Sequence, residues 1–185
     1  MVKNEVAGGK MLLAEPFMID PNFKRSAVLL CEHSREGSLG FILNKQLNTR
    51  IDELLDEFPE FPVNIFFGGP VQTDTIHFIH RAGELLEGSV PIGNGLYLGG
   101  EFEQLKFLIS SQLLTEKDIR FFLGYSGWSE GQLSEETNYG SWIVTDMDPN
   151  YLFNMPPESL WPTAMYNKGD AYAVMSELPE NMIWN

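Results

Sequence analysis

The residues of this chain best suited to chemistry gather around one short run, SAVLLCEHS, from Ser26 to Ser34. Cys31 and His33 stand two apart, a spacing that on a β-strand turns both side chains to the same side and could set a thiol beside a base. Such a pair also needs oxyanion donors and a group to orient the imidazole, and the sequence identifies neither. A small buried cysteine beside a strand-end histidine explains the same residues. Arg25 directly precedes the run and, in a chain rich in acids, could pair with Glu32 or Glu136 or receive an anionic ligand; the ion pair is the simpler reading. Asn44, Gln132, Glu136 and Asn138 could join Arg25 and His33 around a polar cleft, or could satisfy backbone groups at strand ends and helix caps. The candidate ligand cleft comprises Arg25, His33, Asn44, Gly68, Gly69, Gln132 and Glu136, with no catalytic set and no metal-ligand set among them.

Other motifs are incomplete where their chemistry is most demanding. Gly124-Tyr125-Ser126-Gly127 begins like a nucleophile elbow, but that motif needs glycine two residues after the serine, where this chain has Trp128. Gly93-Asn94-Gly95 opens like a dinucleotide fingerprint, yet Leu98 stands at its third glycine, so the segment reads as a turn. Gly68-Gly69-Pro70 lacks the Gly-Lys-Ser/Thr of a phosphate loop and reads as a tight reversal. His77 and His80 are three apart in a strand pattern and face opposite ways, which argues against a shared metal. Trp128 and Trp142 suit a core or lid better than a ligand platform, and Glu84, Glu87, Glu101 and Glu103 suit a solvated face.

Composition narrows the classes further. A chain of 185 residues with 43% hydrophobic content and no linker-like stretch is expected to form one domain over residues 1–185. Its formal net charge of -14 repels phosphate backbones, so no direct nucleic-acid contact is expected, and anionic membranes are disfavoured for the same reason. No apolar stretch approaches the roughly 18 residues needed to span a bilayer, and MLLAEPFMI is interrupted by Glu15 and Pro16, so a cytoplasmic protein is expected. The lone Cys31 excludes an intramolecular disulfide and a cysteine-rich zinc site. No cofactor is expected, and the partner would be an unidentified protein or small molecule.

The elements that must position these residues centre on Ile119 to Tyr125, a mostly apolar run with Arg120 as its exception, which suits a strand covered on both faces. Gly124 and Gly127 are expected to turn the chain, and Ser129 with Gln132 has capping-box spacing for a helix ending near Asn138 and Gly140. Trp142 to Val144 then resumes the sheet. Earlier, Ser26–Glu32 and Ser38–Leu43 read as an antiparallel hairpin, Thr49–Phe58 as a helix with Thr49 as its cap, and Asn64–Phe67, Thr75–His80 and Leu96–Leu98 as strands. Lys10–Phe17 could be helix or strand; Glu101–Leu113 reads as an amphipathic helix with Phe102, Leu105, Leu108 and Ile109 inward. Pro157–Met165 reads as a last full helix and Ala171–Leu178 as a terminal helix turn, with Trp184 near the end. Met1–Gly9 is polar and reads as a loose tail. Irregular alternation with an antiparallel hairpin indicates α+β with a mixed sheet, not a doubly wound fold.

Taken in order, several segments resemble the YqgE/AlgH family of bacterial proteins: Asp20-Pro21-x-Phe23-x-Arg25-Ser26, Cys31-Glu32-His33, Gly37-x-x-Gly40, Asn44-Lys45, Phe67-Gly68-Gly69-Pro70-Val71, Gly124-Tyr125-x-x-Trp128, Gly131-Gln132-Leu133-x-x-Glu136, Trp142 and Leu152-Phe153. Each segment is short; the ordered set is specific. The resemblance implies a single compact α+β domain whose bent sheet forms a pseudo-barrel with flanking helices. It also implies a description as transcriptional regulators rather than a defined biochemical activity. Departures lie at Gly99-Gly100 and in the extension from residue 170 to 185. Two readings follow: a non-enzymatic regulatory or adaptor protein whose effect on transcription is indirect, or a hydrolase- or transferase-type enzyme with His33 as base, assisted by Cys31 or Glu136.

Overall fold

The computed structural model of the chain describes residues 5–180. Within them the strands are β1 (Met11–Ala14), β2 (Ala27–Ser34), β3 (Gly37–Ile42), β4 (Gln46–Arg50), β5 (Asn64–Phe67), β6 (Val71–His80), β7 (Val90–Gly93), β8 (Leu96–Leu98), β9 (Ile119–Ser129) and β10 (Trp142–Thr145). The α-helices are α1 (Ile51–Leu54), α2 (Phe102–Ser110), α3 (Gln132–Asn138), α4 (Asn150–Phe153), α5 (Pro157–Lys168) and α6 (Asp170–Ser176). None of them is long and apolar enough to cross a membrane.

The sheet is built around β9, which pairs with β3 through Ser126–Ser129 and, nearer its start, with β5 on one edge and β6 on the other, Phe122 and Leu123 facing both. The main path runs β10-β1-β2-β3-β9-β6-β8-β7, and β4 joins through β5. Pairings are antiparallel except that of β5 with β9, where Phe66 faces Phe122 in parallel register. The architecture is therefore the expected α+β with a mixed, bent sheet. It remains open, with β10 and β7 at the two ends of the path.

Both faces of the sheet are covered, which is why β1 shows no polar alternation. Met11 and Leu13 enter the core beneath α5, with Trp161 and Met165, while Leu12 and Ala14 enter the opposite core with Trp128, Leu133 and Trp142. A strand whose two faces are both dry must be apolar at every position. The Trp161 indole also donates to the Ala14 carbonyl at 2.9 Å, tying α5 to the sheet. A third core lies under α2, where Leu105, Leu108 and Ile109 meet Phe78, Ile119 and Phe121. Phe102, expected inward with them, is instead partly exposed at the start of the helix.

Three local expectations differ from the structure. The chain does not turn at Gly124; β9 continues to Ser129. Gly124 instead takes φ 68 within the strand, where an added Cβ would lie 2.5 Å from the Gly69 carbonyl oxygen, so the glycine permits a bend against β6 rather than a reversal. The turn into α3 comes at Gly131, φ 75, and Gln132 Oε1 accepts from the Ser129 N–H at 3.0 Å and its hydroxyl at 3.2 Å, so the two residues bond with Gly131 as the cap.

The helix over Thr49–Phe58 is reduced to the single turn of α1. Thr49 lies in β4, whose Gln46 and Arg50 face Phe66 and Asn64. Asp52 accepts from Arg50 and from the Phe61 N–H at 2.8 Å, and Glu57 takes φ 56, which a continuing helix forbids. Lys10–Phe17 contributes the strand β1. The Gly9 N–H donates to the Leu30 carbonyl at 2.7 Å, so the end of the expected tail is bound to the sheet. The expectations for residues 1–4 and for Trp184 lie outside the described residues.

Candidate functional site

The seven residues of the expected cleft fall into separate places. Asn44 follows β3 and accepts from the Ala27 N–H at 3.0 Å while its amide donates to the Arg25 carbonyl at 2.9 Å. It thereby holds the strained entry to β2, where Arg25 has φ 50. The Arg25 guanidinium turns away from Glu32 and Glu136. It stacks 4.8 Å from the Trp161 ring centre, donates to the carbonyls of Ser176 and Leu178, and lies 3.7 Å from a Glu180 oxygen. Arg25 thus clasps the C-terminal helix α6 to the body of the protein.

Cys31 and His33 do not form a pair. A register shift between Leu30 and Glu32 leaves Cys31 as the extra residue of a β-bulge. Its sulfur points into the core, 3.8 Å from the Leu29 carbonyl, and burial pushes the thiol far above its ordinary range, with Glu32 adding to the effect. His33 is exposed, and its Nδ1 shares a 2.7 Å hydrogen bond with the hydroxyl of Ser38, its register partner on β3. It borders a concavity of about 480 Å³ with Arg35, Glu130 and Ser134.

Gln132 and Glu136 meet on α3, one turn apart. The Gln132 amide donates to Glu136 Oε1 at 2.8 Å, and Glu136 Oε2 accepts from both indoles, Trp128 at 3.0 Å and Trp142 at 2.7 Å. Phe23 packs against the two rings. One carboxylate thus satisfies two buried donors from β9 and β10 and fastens the helix across them. Gly68 and Gly69 lie against β9, where an added Cβ would fall 2.4 Å from the Gly124 carbonyl oxygen and 2.2 Å from the Tyr125 carbonyl. The Gly68 carbonyl accepts from Ile42 N–H at 2.9 Å and from the Ser126 hydroxyl at 3.0 Å. Their role is close backbone approach.

The two core histidines face different environments. His77 packs between Phe41 and Tyr125 with its Nε2 buried and unbonded; His80 stacks on Tyr97, accepts from the Ala82 N–H at 3.1 Å and meets the Gly99 carbonyl at 2.7 Å through Nε2. Burial lowers the pKa of both. Among the described residues no cluster of His, Cys, Asp and Glu is arranged to hold a metal ion.

A second and larger hollow involves none of the seven. It encloses about 560 Å³ between β4, β5, the Glu116–Arg120 segment and α4. Leu43, Phe66, Leu152 and Met155 form apolar walls, and Arg50, Lys117 and Arg120 bring charge to it. The Arg50 fork is taken by Asp52, at 2.9 and 2.5 Å. Arg120 donates to the backbone carbonyls of Glu116 at 2.5 Å, Ile119 at 2.8 Å and Phe153 at 3.3 Å, and stacks 5.4 Å from the Phe153 ring.

The order of these segments along the chain matches a known protein family: the AlgH-like family model covers residues 11–173. The chain belongs to the AlgH-like family. It is 42% identical over 172 residues to a UPF0301 protein of Chlorobaculum tepidum, covering 93% of this chain and 92% of the relative. A UPF0301 protein of Cytophaga hutchinsonii is 44% identical over 172 residues, covering 92% and 94%. The solution structure of the AlgH protein from Pseudomonas aeruginosa superposes with a TM-score of 0.74 at 30% identity, covering 93% of this chain and 94% of that one. A Corynebacterium diphtheriae protein shares the fold, with a TM-score of 0.78 at 23% identity over 96% of this chain and 95% of its own.

In this AlgH-like chain several of the residues that carried the resemblance sit at tight contacts: Asn44 at the entry to β2, Gly68 and Gly69 against β9, Glu136 between the indoles. The hollow lined by Arg120 was not anticipated. Its only local signal was an arginine in an otherwise apolar central strand, without an acid beside it in sequence.

Proposed function

We propose that the protein is a non-enzymatic regulatory or adaptor protein of the cytoplasm, acting through a protein partner or by sensing a small molecule. Any effect on transcription is indirect. The observation that carries this reading is the separation of the reactive groups: the Cys31 thiol is buried and hard to ionise, and His33 bonds a serine across a hairpin instead. A buried neutral thiol is a poor nucleophile. The net charge of -14 supports an indirect role, since direct DNA binding draws on clustered cations. Titration of mixed duplex DNA against salt tests that part: weak binding at every salt concentration is expected, and tight, salt-sensitive binding overturns it.

The enzyme reading has one observation in its favour, the 2.7 Å contact of His33 with the Ser38 hydroxyl beside an open concavity. A base and a hydroxyl at that distance satisfy the first requirement of nucleophilic catalysis. Ser38 is also the cross-strand neighbour of His33, which explains the contact without chemistry. Assay of p-nitrophenyl esters and phosphates with the wild type and His33→Ala separates the two. No turnover that depends on His33 is expected; turnover abolished in the variant establishes the enzyme instead.

A further inference from the structure

The hollow beside α4 departs from the charge of the rest of the molecule. The chain has 12 Lys and Arg against 26 Asp and Glu, yet the hollow is lined by three cations and one acid, Glu116. Two of the cations differ from Arg50 in lacking a direct ion pair, although Glu116 lies near enough to Arg120 to favour its charge. Neither Lys117 nor Arg120 has a carboxylate within 4.0 Å among the described residues. Arg120 carries five N–H donors, and its backbone bonds to Glu116, Ile119 and Phe153 use three of them, leaving two for a bidentate acceptor. It is half-buried, so an anion meeting it is screened less than one at the open surface.

We propose that this hollow binds a small organic carboxylate, its head on Arg120 and Lys117 and its apolar body against Phe66, Leu152 and Met155. The volume, about 560 Å³, lies within the roughly 300–1,000 Å³ of small-molecule sites. Two free donors on one guanidinium match the two oxygens of a carboxylate. The apolar walls distinguish the ligand from a free inorganic anion, which would gain nothing from them. The inference goes beyond the regulatory reading and holds whether or not the protein turns anything over.

The test is an amide NMR titration of the full chain with octanoate, octanamide and inorganic phosphate. Octanoate is expected to give saturable shifts confined to residues 43–50, 62–66, 116–120 and 151–157, while octanamide and phosphate bind about tenfold more weakly or less. Lys117→Glu, at an exposed position that leaves the fold intact, is expected to weaken octanoate several-fold with little effect on octanamide. Arg120→Lys keeps a cation but removes the fork, and is expected to weaken octanoate by about tenfold if its amide spectrum remains folded. Equal affinity for octanoate and octanamide, equal affinity for octanoate and phosphate, shifts outside these segments, or an unchanged affinity in Lys117→Glu would each overturn the proposal.

Discussion

Replacing Glu136 with alanine should cost far more than its position on a short surface helix suggests. The carboxylate accepts from Trp142 at 2.7 Å and Trp128 at 3.0 Å, and the two tryptophans are only 3% and 6% exposed. Without the carboxylate both indole N–H groups lose their charged acceptor, which only water entering the vacated space could replace. Hydrogen bonds to a charged partner contribute about 1.5–3 kcal/mol each, so the loss is roughly 3–6 kcal/mol if the two add. Against a typical total of about 5–15 kcal/mol this is severe, and at about 2–4 °C per kcal/mol the melting temperature falls by roughly 6–24 °C. Glu136→Gln keeps an acceptor oxygen but sets an amide NH2 against that of Gln132, so it should fall between the wild type and alanine. Urea unfolding followed by far-UV circular dichroism gives the stability, and near-UV circular dichroism with tryptophan emission reports the rings. A loss below about 1 kcal/mol in Glu136→Ala, with both tryptophan signals unchanged, would refute the account.

Gly69→Ala should destabilise by roughly 3 kcal/mol or more, since φ is 153 and its Cβ would lie 2.2 Å from the Tyr125 carbonyl; urea unfolding at wild-type stability contradicts the close approach. Because burial lowers the pKa of His77 and His80, the unfolded chain binds more protons than the folded one below about pH 6.5. Their contribution is therefore whole above that pH and is lost as pH falls toward the lowered values, by up to about 1.4 kcal/mol per pH unit for each ring. His77→Phe removes one such ring from a site where its Nε2 is unbonded, so the variant should lose less stability than the wild type between pH 7.5 and 5.5; identical losses contradict this. Arg25→Gln should release α6, with chymotrypsin cleaving near Tyr172 about tenfold faster while the rest of the chain stays protected; unchanged cleavage removes the clasp.

The strands were legible where burial alone decides them. Asn64–Phe67 and Leu96–Leu98 are short apolar runs between turn residues, and nothing in their neighbourhood competes with that pattern. Thr49–Phe58 shows the opposite case. Its apolar residues have helical spacing, and Thr49 and Asp52 have the spacing of a helix start, yet pairing of β4 with β5 takes Thr49, and Arg50 and Phe61 take Asp52. A local period cannot register partners that arrive from residues 61 to 66, so tertiary pairing overrode it. Gly124 misled for a related reason. Its glycine permits the positive φ observed, but whether the chain turns or bends there depends on Gly69, which is distant in sequence.

The same distinction governs the candidate site. Polar residues of the recognisable segments drew attention because their types could do chemistry, and the structure gives several of them structural partners: Asn44 two backbone groups, Glu136 two indoles, and Arg25 two C-terminal carbonyls, with its buried Nε left unbonded. A side chain whose donors and acceptors are all used in the folded state cannot bind a ligand without breaking what it holds, so residue types that mark the fold are poor guides to a site. Arg120 has the reverse character. Its three backbone bonds leave donors over, no carboxylate among the described residues lies within 4.0 Å of it, and the walls around it come from four segments with no common period. Unspent hydrogen-bonding capacity on a half-buried charge is visible only once the chain is folded, and it directs the search for a ligand to Arg120 beside α4 and away from Asn44 and Glu136.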